Sequence, residues 1–390
     1  MMKEKSKKNK SLFSRINAWL HLWLGIFAGI ILVFVALTGT LIVYCDEILN
    51  MTAGDAKYIQ VERKEKLPAE KLMSMVMHSG PKGKPTMVSD IAMFKDPNRS
   101  VRFRCFDRPG GLAYVYVNPY SGKILKKDHT ANFFYIVAHL HAAFMIHGAG
   151  SWIVDIATII FLIELISGII LWWPKKWNKH TRDASFKIKW KAKFKRVNYD
   201  LHNVLGFYAS VLGLTLTITG LIIAFQPVSK ATVKLFGGNA DKPIQKILPK
   251  ADKDSLRKAQ PINVVFANEF AQHPEKKAIQ MYTFKLKDAG TYYMTVAKRI
   301  GLKSAESPII SVVDKYTGTS VAINNKVLKG QYIDNNVWQL HMGTWMGQLG
   351  KLCTFLCGLI CTSLPITGLL VWIGKKKKKP SGKQINLANN

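Results

Sequence analysis

From Asn203 to Phe225 the chain runs twenty-three residues without a charge, and Leu22–Tyr44, Trp152–Trp173 and Leu352–Ile373 are apolar over almost the same length. As an α-helix each segment would extend ~33 Å, enough to cross the hydrocarbon core of a bilayer. In hydrocarbon a backbone must satisfy its own hydrogen bonds, so four such segments predict an α-helical polytopic membrane protein with a four-helix core. The first segment is too long for the apolar region of a removed signal peptide and has no small-residue cleavage site.

A formal net charge of +32 suggests nucleic acid, but the placement of the charge argues against it. Residues 1–15 hold six Lys or Arg, residues 174–198 hold ten and residues 375–383 hold six. These three stretches fall on one membrane face, which the positive-inside rule makes cytoplasmic, with both termini there. They serve either as solvated flanks or as contacts for anionic membrane lipid. The expected order is a basic tail (1–18), first span (19–45), outward segment (46–135), interfacial segment and second span (136–173), and basic loop (174–199). A third span (200–226), second outward segment (227–336), interfacial segment and fourth span (337–374), and a short tail (375–390) complete it.

The chain reads as a duplication. "LHLWLG" (20–25) matches "LHNVLG" (201–206), and seventeen residues after each histidine stand Thr38-Gly39 and Thr219-Gly220. "LHAAFMIHGAGSW" (140–152) aligns with "LHMGTWMGQLGKL" (340–352), and twenty-six residues after each histidine stand Ser167-Gly168 and Thr367-Gly368. The outward segments echo each other in "YVNPYSGKIL" (116–125) and "VVDKYTGTSV" (312–321), each a strand, a turn and a strand. The unit is therefore helix, exposed β-rich segment, helix, given twice. Both units start on the cytoplasmic side, so the repeats are parallel and related by a pseudo-twofold axis along the membrane normal.

That symmetry makes His21 and His202 equivalents near the cytoplasmic ends of their helices, and His141 and His341 equivalents near the outer side. Residues related by a twofold can meet on its axis, so each pair can offer two imidazoles to one centre. A haem iron brings four nitrogens of its own and needs two axial ligands, whereas structural zinc wants four protein ligands. Single intramembrane histidines also serve as proton relays or interhelical hydrogen-bonders. From His141 to Pro174 is thirty-three residues, ~50 Å as one straight helix, so the glycines at 148, 150, 343, 347 and 350 predict a bend over the membrane surface.

Other residues carry weaker signals. His129, His139 and His147 have no equivalents in the second repeat. His139 is two residues from His141 and so points to another helix face, a substitute ligand or a neighbour of one. Glu164, in mid-span, fits either proton handling or a hydrogen bond to a ligand. Cys353, Cys357 and Cys361 recur every four residues on one expected packing face; Cys45 and Cys105 both lie in or beside outward segments, their pairing open. "MFKDPNRSVRFRCFDRPGG" and "MYTFKLKDAGTYYMTVAKRIG" mix aromatic and basic residues, as an anionic chelate or simply solvated strands would require.

Across its whole length the chain resembles the PepSY-associated transmembrane helix family. The likeness lies in "LHLWLGIFAGIILVFVALTGTLIVYCDEI", "LHAAF" with "HGAGSW" and "GIILWWPKK", "DLHNVLGFYASVLGLTLTITG", and "QLHMGTWMG" with "ITGLLVWI". Ala142 stands where a basic residue often follows the second histidine. The resemblance implies two parallel repeats, each with an inserted extracytoplasmic α+β PepSY-like domain, in a bacterial inner membrane. It further implies two b-type haems per chain, with His21, His202, His141 and His341 as axial ligands and the outer pair catalytic. Electrons would pass from quinol or a cytoplasmic reductase to a periplasmic ferric siderophore. The competing expectations are a non-enzymatic anchored sensor that binds a partner, and a transporter of the iron-uptake kind, which Glu164 and Asp155 would favour.

Overall fold

The computed structural model describes residues 11–376 apart from 81–84, 108–110, 147, 241–247, 249–257 and 284–289. His147, residues 1–10 and most of the basic tail lie outside the described residues. The first unit runs through helix α1 (Leu12–Ile42), α2 (Cys45–Ala53) and α3 (Ala69–Met77) into strands β1 (Met87–Phe94), β2 (Val101–Asp107), β3 (Gly111–Val117) and β4 (Ile124–Asp128). Helices α4 (Thr130–Ala143) and α5 (Ala149–Trp172) close it, and α6 (Lys179–Phe186) lies in the basic loop. The second unit opens with α7 (Phe194–Asp200) and α8 (Gly206–Ala224), joined by a π-helical turn at Leu201–Leu205, and then α9 (Gln226–Leu235). It continues through α10 (Ile262–Gln272), β5 (Ala278–Tyr282), β6 (Thr291–Ala297), the small hairpin β7 (Arg299–Ile300) and β8 (Ala305–Glu306), and β9 (Ile309–Asp314). It ends with α11 (Asn325–His341) and α12 (Gly347–Lys376).

Among the described residues four helical stretches are long and apolar enough to cross a membrane: Leu12–Ile42, Ala149–Trp172, Phe194–Ala224 and Thr344–Gly374. Three of them begin about a turn or more before the apolar runs do, because a helix tolerates an Arg or Lys in its interfacial turns while an uncharged window does not. α1 starts at Leu12, capped by the Ser11 side chain, which accepts from Ser14 N–H at 3.3 Å. His21 thus sits well inside its helix rather than at its end.

The spans close a ring in which α1 packs on α5 and α12, and α8 packs on the same two helices. Small side chains line the seams, Ala28 against Ala157 and Ala209 against Cys357 and Cys361, allowing close backbone approach where burial gives little drive. Phe27 and Ile30, 76% and 86% exposed, point away from the ring, as lipid-facing residues do. Cys353 does not share the buried face of Cys357 and Cys361: eight residues advance a helix about 80° past two full turns. Cys45 and Cys105 are both free and buried in separate clusters.

The two segments between the paired spans do not stand apart. Their strands form one antiparallel sheet in the order β4-β3-β2-β1-β5-β6-β9, with β1 and β5 paired through Asp90↔Tyr282, Ile91↔Met281 and Ala92↔Gln280. Joining there removes two strand edges that would otherwise expose unpaired backbone groups. α3 and α10 cover one face over a core built on Phe103, Ile91, Met281, Met294 and Phe266; each such side chain contributes about 1.5–3 kcal/mol by burial. On the opposite face Leu112, Tyr114 and Tyr116 of β3 pack against α2 and α4, which ties the sheet to the helices.

Candidate functional site

Each unit breaks between its outer helix and its membrane span. α4 ends with Phe144 and Met145 in the left-handed region (φ 52° and 60°), and α11 ends with Gly343 at φ 71°. A Cβ on Gly150 or Gly350 would run into the carbonyl of residue 143 or 343, so these glycines let the span start tight against the helix before it. The breaks lay α4 across α1 and α11 across α8, which brings the last-turn residues His141 and His341 over the bundle.

There the two ring centroids lie 6.2 Å apart, with 50° between the planes. His141 Nδ1 lies 2.8 Å from the Val35 carbonyl and 3.4 Å from Thr38 Oγ1, and His341 Nδ1 lies 3.0 Å from Thr219 Oγ1. Both line a 420 Å³ cavity whose walls are mainly Leu, Val, Ile, Ala and Phe. Removal from bulk water pushes the His141 pKa below the ordinary imidazole range, and burial followed by the neighbouring His141 pushes His341 down to about 4. At neutral pH both are the uncharged imidazoles that ligate metals.

The inner pair repeats the arrangement on the spans themselves. The rings of His21 and His202 lie 6.3 Å apart, 69° between planes. His21 Nδ1 is 2.9 Å from Ser167 Oγ and 3.2 Å from Glu164 Oε2. His202 Nδ1 is 3.0 Å from Thr367 Oγ1 and 3.1 Å from the Leu364 carbonyl. The π-helical turn that carries His202 widens its helix by a residue, a distortion frequent at functional sites.

Hydrogen-bond accounting fixes the tautomers. Ser167 Oγ donates to the Glu164 carbonyl at 3.1 Å, Thr38 Oγ1 to Phe34 at 2.8 Å, Thr219 Oγ1 to Thr215 at 2.7 Å and Thr367 Oγ1 to Ser363 at 2.9 Å. Each hydroxyl has spent its proton on its own helix and can only accept from the imidazole, so Nδ1 carries the hydrogen and Nε2 the lone pair in all four rings. The following glycines make room. A Cβ on Gly39 would lie 2.8 Å from His141 Cε1, and on Gly168, Gly220 and Gly368 it would lie 3.2, 3.2 and 3.1 Å from Cε1 of His21, His341 and His202. The Thr-Gly and Ser-Gly words of the sequence are therefore cradles: a hydroxyl to orient the ring and an absent side chain to admit it.

Two imidazoles binding one metal from opposite sides, with bonds of about 2.0–2.1 Å and ring centres about 1.1 Å behind the nitrogens, stand roughly 6.2–6.4 Å apart. Both pairs match that spacing. Among the described residues no three His, Cys, Asp or Glu side chains converge on one point, so each pair suits a centre that brings its remaining ligands with it. His139 lines the outer cavity, but its Nδ1 bonds its own helix at the Tyr135 carbonyl, 2.8 Å away. His129 is exposed at the start of α4. Glu164 stands beside His21, with Oε1 buried and without a hydrogen-bond partner among the described residues; Asp155, 6% exposed, lines the outer cavity.

A family model, the PepSY-associated TM region, matches residues 18–375, nearly the whole chain. The chain belongs to this family. No curated protein matches it in sequence. Within this PepSY-associated TM protein, the four histidines and their hydroxyl-glycine cradles all fall inside the matched region, and the four apolar helices make it a membrane protein.

Proposed function

We propose that this protein is an inner-membrane oxidoreductase holding two b-type haems, which passes electrons from a quinol or a cytoplasmic reductase outward, one per iron, and reduces a ferric siderophore, Fe(III) to Fe(II), on the far side. The observation that carries this reading is the pair of 6.2–6.3 Å histidine couples with every Nδ1 tied back to a hydroxyl acceptor. His21 and His202 would hold one haem, and His141 and His341 the other. A haem so held supplies a one-electron centre whose potential follows its axial ligands and surroundings. Oxygen-rich chelators favour hard Fe(III), so reduction serves as a release step.

The protein's own groups set the conditions. Ser167, Thr38, Thr219 and Thr367 orient the rings and make Nε2 a better donor by accepting from Nδ1–H. Glu164 adds a carboxyl group 3.2 Å from His21 Nδ1. Leu32, Val35, Val154, Phe161 and Leu216 are among the apolar walls around the outer couple. The repeat is supported by the adjacency of β1 and β5, by the span–segment–span order of both units and by the matched cradles.

Three experiments test this. Anaerobically reduced protein mixed with a ferric hydroxamate should release Fe(II) to a ferrous-specific trap; no release above a control with all four histidines replaced would refute the activity. Thr219→Val keeps the shape and removes the acceptor for His341, and should weaken retention of haem at the outer couple roughly 10–100-fold. Haem loss to apomyoglobin measures it, and wild-type retention would contradict the cradle. Alkaline phosphatase fused after residue 90 or 280 should be active and after residue 185 silent, since the ten Lys or Arg of residues 174–198 favour the cytoplasmic side for that loop. The reverse pattern would invert the proposed direction.

A further inference from the structure

The membrane-facing side of the sheet carries a 520 Å³ cleft that the histidine couples do not use, bounded by α2, the first three strands, β5 and the β7–β8 hairpin. Lys95, Arg99, Arg102, Lys277, Lys298 and Arg299 line it against only Asp46 and Asp96. The sequence holds these cations in two stretches almost two hundred residues apart, and the β1–β5 seam brings them together. Both carboxylates are engaged locally: Asp46 Oδ1 accepts from Leu302 N–H at 2.7 Å, and Asp96 Oδ1 from Asn98 N–H at 2.9 Å.

Two arginines each keep one nitrogen without such a bond. Nε of Arg99 and Nε of Arg102 are buried with no hydrogen-bond partner among the described residues, although a buried charged donor normally has one. Arg99 stacks on Phe94 at 4.1 Å and Arg102 on Tyr114 at 4.5 Å. Stacking of this kind holds the guanidinium plane rigid and leaves its edge donors for an oxyanion. By contrast, Arg104 on the same strand is paired with Asp90 at 2.5 Å. Burial pushes the Arg99 pKa below its usual range; Arg102 adds to that push, while Tyr58 and Asp96 oppose it.

The cleft also has an address. Arg299, Ile300 and Gly301 line it, while Lys303, two residues on, lines the cavity of His141 and His341. One hairpin thus separates the cationic cleft from the outer histidine couple.

We propose that this cleft binds a small ligand rich in anionic oxygens, and that it seats the anionic ferric chelate next to the outer couple. The seating rests on the reductase reading; the anion site does not. Gallium(III) citrate, which has the charge of the ferric chelate and cannot be reduced in its place, is the probe. Calorimetry on the full chain in neutral detergent should show binding that R99Q/R102Q weakens at least about tenfold, with R99K/R102K intermediate because charge remains while the fork is lost. Unchanged near-ultraviolet dichroism would certify that R99Q/R102Q folds. If it does not fold, K298Q/R299Q on the exposed rim should weaken binding by about threefold or more. Equal affinity in wild type and the glutamine variants, or no binding by wild type, overturns the site. Gallium citrate binding without any ferric citrate reduction keeps the anion site and sinks the reductase reading; ferric citrate reduction with an unchanged KM in R99Q/R102Q does the opposite.

Discussion

Replacing His21 or His202 with alanine is expected to remove one haem per chain and leave the other bound. The two rings stand 6.3 Å apart on α1 and the turn before α8, and each has its own hydroxyl and glycine on the neighbouring span. Neither residue touches the cradle of the outer couple, which draws on Thr38 and Thr219, so the second centre should persist. One axial imidazole alone holds haem far more weakly than two, and half the wild-type haem per protein is the expected pyridine-haemochrome result. An unchanged ratio in either single variant would refute the pairing, and complete loss would refute the separateness of the two centres.

His141→Ala or His341→Ala is expected to lower reduction of an external ferric chelate by at least about a hundredfold, since losing a ligand exceeds the 10–100-fold cost of losing a ligand's partner. The motive is position: these rings lie at the ends of α4 and α11, outside the spans, under the sheet and beside a cavity lined by Lys303 and Trp338. Proteoliposomes loaded with donor and supplied with ferric citrate outside would report the rate, and a haem count of one per chain would show that the inner couple survives. Full turnover in either variant would remove the outer couple from the route.

The spans and the histidines that the fold brings together in two pairs were legible because each rests on a local regularity, either uncharged length or a repeated word. The pairing of His21 with His202 was legible through symmetry, since related residues at one depth can meet on the axis. The helix starts were not, because Arg15 and Lys195 sit in interfacial turns that an uncharged window excludes. The single sheet was hidden as well. Nothing in "VSDIAMF" or "AIQMY" states that one edge will find the other, since pairing is decided by contacts almost two hundred residues apart. The Thr-Gly and Ser-Gly words were visible as repeat markers, but their role appears only when the hydroxyl proton can be traced to a backbone carbonyl. The cationic cleft required folding too. Its two basic stretches read as ordinary alternating strands until β1 and β5 meet and gather six cations around one cleft.

The most direct measurement is the absorption spectrum of the purified full-length protein with its pyridine-haemochrome count. Two axial histidines at each couple predict a Soret band that sharpens on reduction, distinct α and β bands, and two haems b per chain. A folded protein that is colourless after expression with ample haem would contradict the account.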